Sequence, residues 1–272
     1  MALKVTVISI DSQNDFTNPQ GSLFVPGADQ NSKRVAKLIK RLSPKITRII
    51  RTFDSHDTVD ISHKSWWVDQ SGNHPETDVM KGLVSISVSD MENYKWTTSV
   101  LGRRARTLTY LKALEAAKRY PHVIWPDHCL IGSWGHNMQE DVLAEILAWE
   151  REHNTWADSV TKGSNPWTEH FSAIRAEVPD PDDLSTQVND KLVSAIENSD
   201  LTIWLGEALS HCLANTFRDA VAAFINSDKV KNMILARDCT SNVPGFEFLG
   251  DQFIADMVAK GMVVKNSDDI LA

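Results

Sequence analysis

An α/β fold built on a mostly parallel sheet is predicted by three features of this 272-residue chain. Short β-branched runs alternate with amphipathic helical patterns from one end to the other, as βα units do. Hydrophobic residues make up 42% of the chain, enough for a sizeable core. Polar and titratable residues gather where the runs end, the edge at which open parallel sheets bind ligands.

The predicted strands are 4–10, 46–53, 122–125, 159–161, 201–205, 232–236 and 262–265. Helical patterns lie between them. Val35, Leu38, Ile39 and Leu42 recur at i, i+3, i+4 and i+7, one apolar stripe turned toward a sheet. The same reading fits Leu143, Ile146 and Leu147, then Val188, Leu192, Val193 and Ile196. It fits again for Leu213, Phe217, Val221 and Phe224, in a helix expected to run to about residue 226.

Two stretches break the rhythm. Residues 64–102 carry Trp66, Trp67, Gly72, Pro75 and Trp96; residues 162–184 carry Gly163, Pro166, Pro179 and Pro181 around an amphipathic piece at 168–178. Loops this long in a compact domain are usually lids or binding loops. The expectation is one domain, 1–272, with insertions near 64–102 and 162–184. Aromatic residues in the first insertion are expected to form its own core rather than an interaction surface.

A formal net charge of −8 and the lack of a basic stripe argue against nucleic acid or an anionic membrane as partner. The apolar run in MALKVTVISIDSQ is too short for a signal peptide or a span and is cut by Asp11, so a cytoplasmic protein is expected. Cys129, Cys212 and Cys239 form no CxxC pair, which indicates neither a disulfide framework nor a zinc ribbon.

The strand ends supply the chemistry. Asp11 follows the first run one residue earlier than a turn requires, still in the strand's line, a placement that costs desolvation unless something compensates it. Asp54-Ser55-His56 follow the second, Pro126-Asp127-His128-Cys129 the third, and Thr161-Lys162-Gly163 the fourth. The fifth runs through Gly206 and Ala208 into a helix that begins near Cys212. At a helix start, free N–H groups and the dipole favour a thiolate and can receive an oxyanion. His211 is a poor base for that thiol, because helical neighbours point about 100° apart. Asp11 is the better candidate, its pKa raised by burial, with Lys162 keeping it ionised. Gln13, Asn14 and Asp15 are expected to hold their turn by local hydrogen bonds.

Asp54 and His56 face the same way in an extended segment and, with His128, make a candidate metal site. Two imidazoles and a carboxylate suit Zn, Fe or Mn and leave positions for water or substrate.

Taken together, these residues resemble the isochorismatase-like cysteine hydrolases and, among them, the nicotinamidases. Asp11-Ser12-Gln13-Asn14-Asp15-Phe16 is similar to their DxQNDF opening. Asp54-Ser55-His56, His63-Lys64-Ser65 and Trp125-Pro126-Asp127-His128-Cys129 resemble the DxH, HxS and WPxHC segments. Thr161-Lys162-Gly163 resembles the lysine segment, and Ala208-Leu209-Ser210-His211-Cys212 the segment ending in the nucleophile. Ser210 stands where many members have Asp, and His63 lies one residue later than in compact members.

The resemblance implies a three-layer α/β/α fold with about six central strands and a Cys212–Asp11–Lys162 triad. It implies one divalent metal, zinc foremost, on Asp54, His56 and His128, with His63 as a further candidate. It implies a cis peptide before Ala208, an oxyanion hole from the amides of Ala208 and Cys212, and Phe16 and Trp125 flanking a pyridine ring whose nitrogen meets the metal. The implied partner is a small molecule, nicotinamide, hydrolysed to nicotinate and ammonia in NAD salvage. A homo-oligomer is left open, with no interface pattern in the sequence. Two rival readings are another amide or carbamoyl hydrolase of the same superfamily and a catalytically silent binding protein of the same fold.

Overall fold

The computed structural model describes residues 3–272; Met1 and Ala2, where the expected domain begins, lie outside the described residues. Six strands make the central sheet: β1 (Val5–Ile10), β2 (Ile46–Asp54), β3 (Asp158–Lys162), β4 (Leu201–Gly206), β5 (Met233–Ala236) and β6 (Val263–Lys265). Their spatial order is 3-2-1-4-5-6, and all five pairings are parallel. The longer helices are α1 (Ala28–Leu42), α2 (Arg104–Ala117), α3 (Glu140–His153), α4 (Asp190–Glu197), α5 (Ala214–Ala223) and α6 (Glu247–Ala259). No helix among the described residues is long and apolar enough to cross a membrane.

The three layers follow from side-chain alternation. Every residue of β1 is buried, as a central parallel strand requires. Val5 and Val7 face one way, onto the α1 stripe of Val35, Leu38, Ile39 and Leu42 and onto α3. Ile8 and Ile10 face the other way, into a core with Trp204, Phe217 and Phe253 from β4, α5 and α6. In α3 the buried stripe is Val142, Ile146 and Trp149, rotated from the predicted one; Leu143 is only partly covered.

The predicted strand 122–125 is real but belongs elsewhere. His122–Ile124 pairs antiparallel with Gly82–Ile86, outside the central sheet, because the first insertion supplies a strand to meet it. That insertion and α2 bury a core of their own, including Trp66, Trp67, Ile86, Met91, Tyr110, Leu111 and Leu114. Trp66 and Trp67 are thus inside, as expected, and offer no surface for a partner.

Two helical limits and one segment also need correction. Val188 is exposed and precedes α4. The helix after Cys212 stops at Ala223: Phe224 is extended, and Asn226 caps the following short turn by accepting from the Asp228 N–H. Segment 168–178 is largely buried without being helical. Side chains take over its backbone bonding: Thr216 Oγ1 accepts from the Ala173 N–H and Ser172 Oγ from that of Ile174, while Ala176 donates to the Thr186 carbonyl.

Candidate active site

The strand order reverses between β1 and β4, the switch point where open α/β sheets form a crevice. Ile10 pairs with Gly206 there, and Asp54 with Lys162 one strand pair away, so four strand ends deliver side chains to one place. Glycine is required at 206: φ is +100°, and any Cβ would collide with the Ile10 carbonyl oxygen.

Asp11 is not in the strand's line. It leaves β1 with φ +40°, a left-handed conformation that costs a non-glycine residue about 1 kcal/mol or more. Thr52 holds it on two sides, its Oγ1 accepting the Asp11 N–H at 3.0 Å and donating to Asp11 Oδ1. Asp11 Oδ2 lies 2.9 Å from Lys162 Nζ. The same Nζ stands 2.9 Å from Asp54 Oδ1 and 3.5 Å from Cys212 Sγ. All of these residues are buried, the lysine only 2% exposed.

Each charge is shaped by that burial. A lysine this deep would shed its proton alone, but Asp11 and Asp54 hold its pKa well above the ordinary range. Burial raises the Asp11 carboxyl, with Lys162 opposing. Burial would raise Asp54 too, yet His56 and Lys162 overcome it and hold that carboxyl well below its usual range. Burial pushes the Cys212 thiol well above its ordinary value against the pull of Lys162. Cys212 does not open α5 as expected: it lies in a π-helical turn, Leu209–Leu213, ahead of that helix, where burial opposes the thiolate that a helix start would favour.

Asp54, His56 and His128 each offer a ligand atom, all within 4.8 Å of one another. Both imidazoles aim Nε2 at Asp54 Oδ2, at 3.1 Å from His56 and 3.2 Å from His128. His56 Nε2 is buried, and despite that contact it makes no hydrogen bond of good geometry among the described residues. Two nitrogens converging on one carboxylate oxygen, one nitrogen orphaned, form a site for a divalent ion. His63 stands behind this group, its Nε2 3.3 Å from His128 Nδ1. Gly163 closes the floor: φ is +84°, and a Cβ would sit 2.9 Å from Asp54 Oδ1.

Above Cys212 opens a cleft of about 380 Å³ including its mouth, lined by Phe16, Trp125, Glu169, Phe171, Ala208 and His211 among others. Phe16 packs edge-on against His128 at 5.5 Å between centroids. Trp125 donates its indole N–H to Glu169 Oε2 at 3.2 Å. The Glu207–Ala208 peptide is cis. The Ala208 carbonyl accepts from the N–H groups of both His211 and Leu213. Gln13, Asn14 and Asp15 do more than hold their own turn. Gln13 bonds both backbone groups of Asp54, Asn14 donates to the Trp134 carbonyl, and Asp15 Oδ2 accepts the Cys129 N–H at 2.6 Å.

No family model matches the chain. Over 142 residues it is 25% identical to the nicotinamidase of Saccharomyces cerevisiae, a match covering 52% of this chain and 51% of that protein, about half of the relative's length. Its structure aligns with that of the yeast nicotinamidase bound to the inhibitor nicotinaldehyde at a TM-score of 0.64 and 18% identity, covering 96% of this chain and 99% of the other. For the Acinetobacter baumanii nicotinamidase/pyrazinamidase the TM-score is 0.62 at 18% identity over 99% of both chains. The Pyrococcus horikoshii pyrazinamidase in complex with zinc gives 0.55 at 16% identity, over 97% of this chain and 99% of that one.

The fold is that of the nicotinamidases.

On this nicotinamidase fold, Asp11, Lys162 and Cys212 meet, as do Asp54, His56 and His128. Residues that sequence reasoning passed over join them. Thr52 holds Asp11, and Glu169 and Phe171 reach the cleft from the second insertion. Burial pushes the Glu169 carboxyl up to about 7. His211 lines the same cleft as a neutral wall, lowered to about 3 by burial and with Nδ1 engaged by Ser210 Oγ at 2.9 Å.

Proposed function

We propose that this chain is a single-domain cysteine-dependent amidohydrolase, a nicotinamidase that converts nicotinamide and water into nicotinate and ammonia. The observation that carries the reading is one buried ammonium, Lys162 Nζ, touching Asp11, Asp54 and Cys212 Sγ at the switch point. The likeness to proteins named as nicotinamidases supports the substrate.

Asp11 takes the proton of Cys212 Sγ, and the sulfur bonds to the carboxamide carbon as the C=O electron pair moves to oxygen. The amides of Ala208 and Cys212 hold that oxyanion. The pair returns, the C–N bond breaks, and Asp11 passes its proton to the departing nitrogen, so ammonia leaves a thioester. Water, losing a proton to Asp11, then attacks the same carbon; the C–S bond breaks and Asp11 restores the thiol. Lys162 keeps the charge of Asp11 compatible with its burial through both halves. Phe16 and Trp125 flank the ring, and Asp54, His56 and His128 would hold a divalent ion, zinc foremost, which when bound supplies a Lewis acid for the ring nitrogen.

The test is ammonia release from nicotinamide by the purified, metal-loaded chain. Cys212→Ala is expected to remove essentially all of it while leaving nicotinamide binding intact. Full activity in that variant would overturn the triad, and wild type that turns over other amides but not nicotinamide would move the substrate assignment.

A further inference from the structure

We propose that His63 and Asp60 are positioning residues rather than ligands, and that together they fix both imidazoles of the Asp54–His56–His128 set as Nε2 donors.

The assignment starts from carbonyl oxygens, which only accept. The Asp57 carbonyl lies 3.2 Å from His63 Nδ1, so that nitrogen carries the proton and His63 Nε2 is left with a lone pair. The Pro126 carbonyl lies 2.8 Å from His128 Nδ1, so this nitrogen also carries a proton. His128 Nδ1–H is therefore shared between Pro126 O and His63 Nε2, the latter at 3.3 Å. His63 is an acceptor for a ligand's far side, and its one lone pair is already spent there. With Nδ1 engaged in this way, Nε2, 3.2 Å from Asp54 Oδ2, is the nitrogen of His128 left to meet an ion.

Asp60 does the same for the other ring. Its Oδ2 stands 3.2 Å from His56 Nδ1. Its Oδ1 is pinned by the Ser62 N–H at 2.8 Å and the Ser62 hydroxyl at 2.7 Å. Held this way, the carboxylate accepts from His56 Nδ1–H and leaves His56 Nε2 as the second nitrogen available to an ion. Asp60 and His63 belong to one loop and are tied directly, the His63 N–H donating to the Asp60 carbonyl at 3.0 Å. Asp60, Ser62 and His63 are all buried, so water does not compete for these bonds. One short loop thus sets the tautomer of both rings, which approach Asp54 from different segments of the chain.

The inference rests on the reading that these three residues hold a divalent ion, and two measurements separate the two claims. The full chain, stripped and titrated with zinc against a chromophoric chelator, is expected to bind one ion. Zinc-edge X-ray absorption of that wild-type complex should report two imidazoles. His63→Ala and Asp60→Ala should each bind zinc about 10- to 100-fold more weakly, still with two imidazoles. His63→Gln and Asp60→Asn, which keep an acceptor in place, should recover part of the loss. Three imidazoles in wild type would make His63 a ligand and overturn the proposal without any variant having to fold. Alanine variants as tight as wild type would overturn it as well. A wild-type chain that binds no zinc would overturn the metal reading and this inference with it.

Discussion

The two edges of the central sheet each carry a hollow, and they differ in an instructive way. At the amino-terminal edge lies the larger, about 930 Å³ including its mouth, lined by Lys4, Thr6, Arg48, Asp158 and Trp156 among others. At the carboxyl edge the cleft over Cys212 has about 380 Å³ by the same measure. The larger hollow holds a half-exposed pair, Arg48–Asp158, with side chains 43% and 36% exposed. The smaller one is lined by Asp54 and Cys212, and these and the Asp11 and Lys162 packed with them are all buried. Exposed charges are screened by solvent and salt, whereas buried ones shift one another strongly. What sets the carboxyl-edge cleft apart is the convergence of buried titratable groups at the switch point, not its volume.

The sharpest way to break that contrast is to remove the shared cation. Lys162→Met leaves Asp11 and Asp54 buried around an apolar chain, and breaking a buried pair by deleting one partner typically costs about 3–5 kcal/mol. Urea unfolding should show a loss of that order, and ammonia release should vanish. A variant as stable as wild type would mean that the carboxylates are not charged together with Lys162 in the folded protein.

Glu177 tests burial at a residue that lines neither hollow. Among the described residues both of its carboxylate oxygens are buried without a hydrogen bond, with Arg119 at 3.5 Å, and burial raises it from an ordinary 4.5 to about 7. Between these values the folded chain keeps a proton that the unfolded chain has lost, so stability falls as pH rises through that window. The cost is absent below about pH 4.5 and complete above about pH 7. Glu177→Gln mimics the protonated form and should match wild type at acidic pH. By pH 8 it should be more stable by about 3 kcal/mol, read from urea midpoints across pH. A constant difference across the range would refute the shift.

The same physics explains what was legible in the sequence. Strands near Val5–Ile10 and Leu201–Gly206 could be read because both faces are buried and the runs are rich in apolar and β-branched residues. Asp54 and Lys162 could be read because each closes a run, and Cys212 because it lies in the short turn between a run and the next helix. Thr52 could not, because a threonine inside a strand looks like ordinary strand composition, and its role appears only when Asp11 lies beside it. The partner of His122–Ile124 was hidden in an insertion with no period, where the pairing depends on tertiary packing. Glu169 and Phe171 sit in a segment whose shape is set by side-chain bonds such as Thr216 to the Ala173 N–H. The π-turn carrying Cys212 leaves no mark, since one extra residue per turn does not change residue type.

The smallest effect is expected at the larger hollow. Arg48 Nε lies 2.7 Å from Asp158 Oδ2 and links the starts of β2 and β3, so a short distance alone would suggest an important bridge. Solvent reaches both side chains, and exposed pairs contribute about 0.2–1 kcal/mol after side-chain entropy and screening are counted. Arg48→Ala should therefore lower stability by no more than about 1 kcal/mol, and less in high salt, with ammonia release from nicotinamide unchanged. The measurement is the pair of urea midpoints at low and high salt beside kcat/KM. A loss of activity in this variant would show that the amino-terminal hollow takes part in function, and the contrast between buried and exposed charge would have to be redrawn.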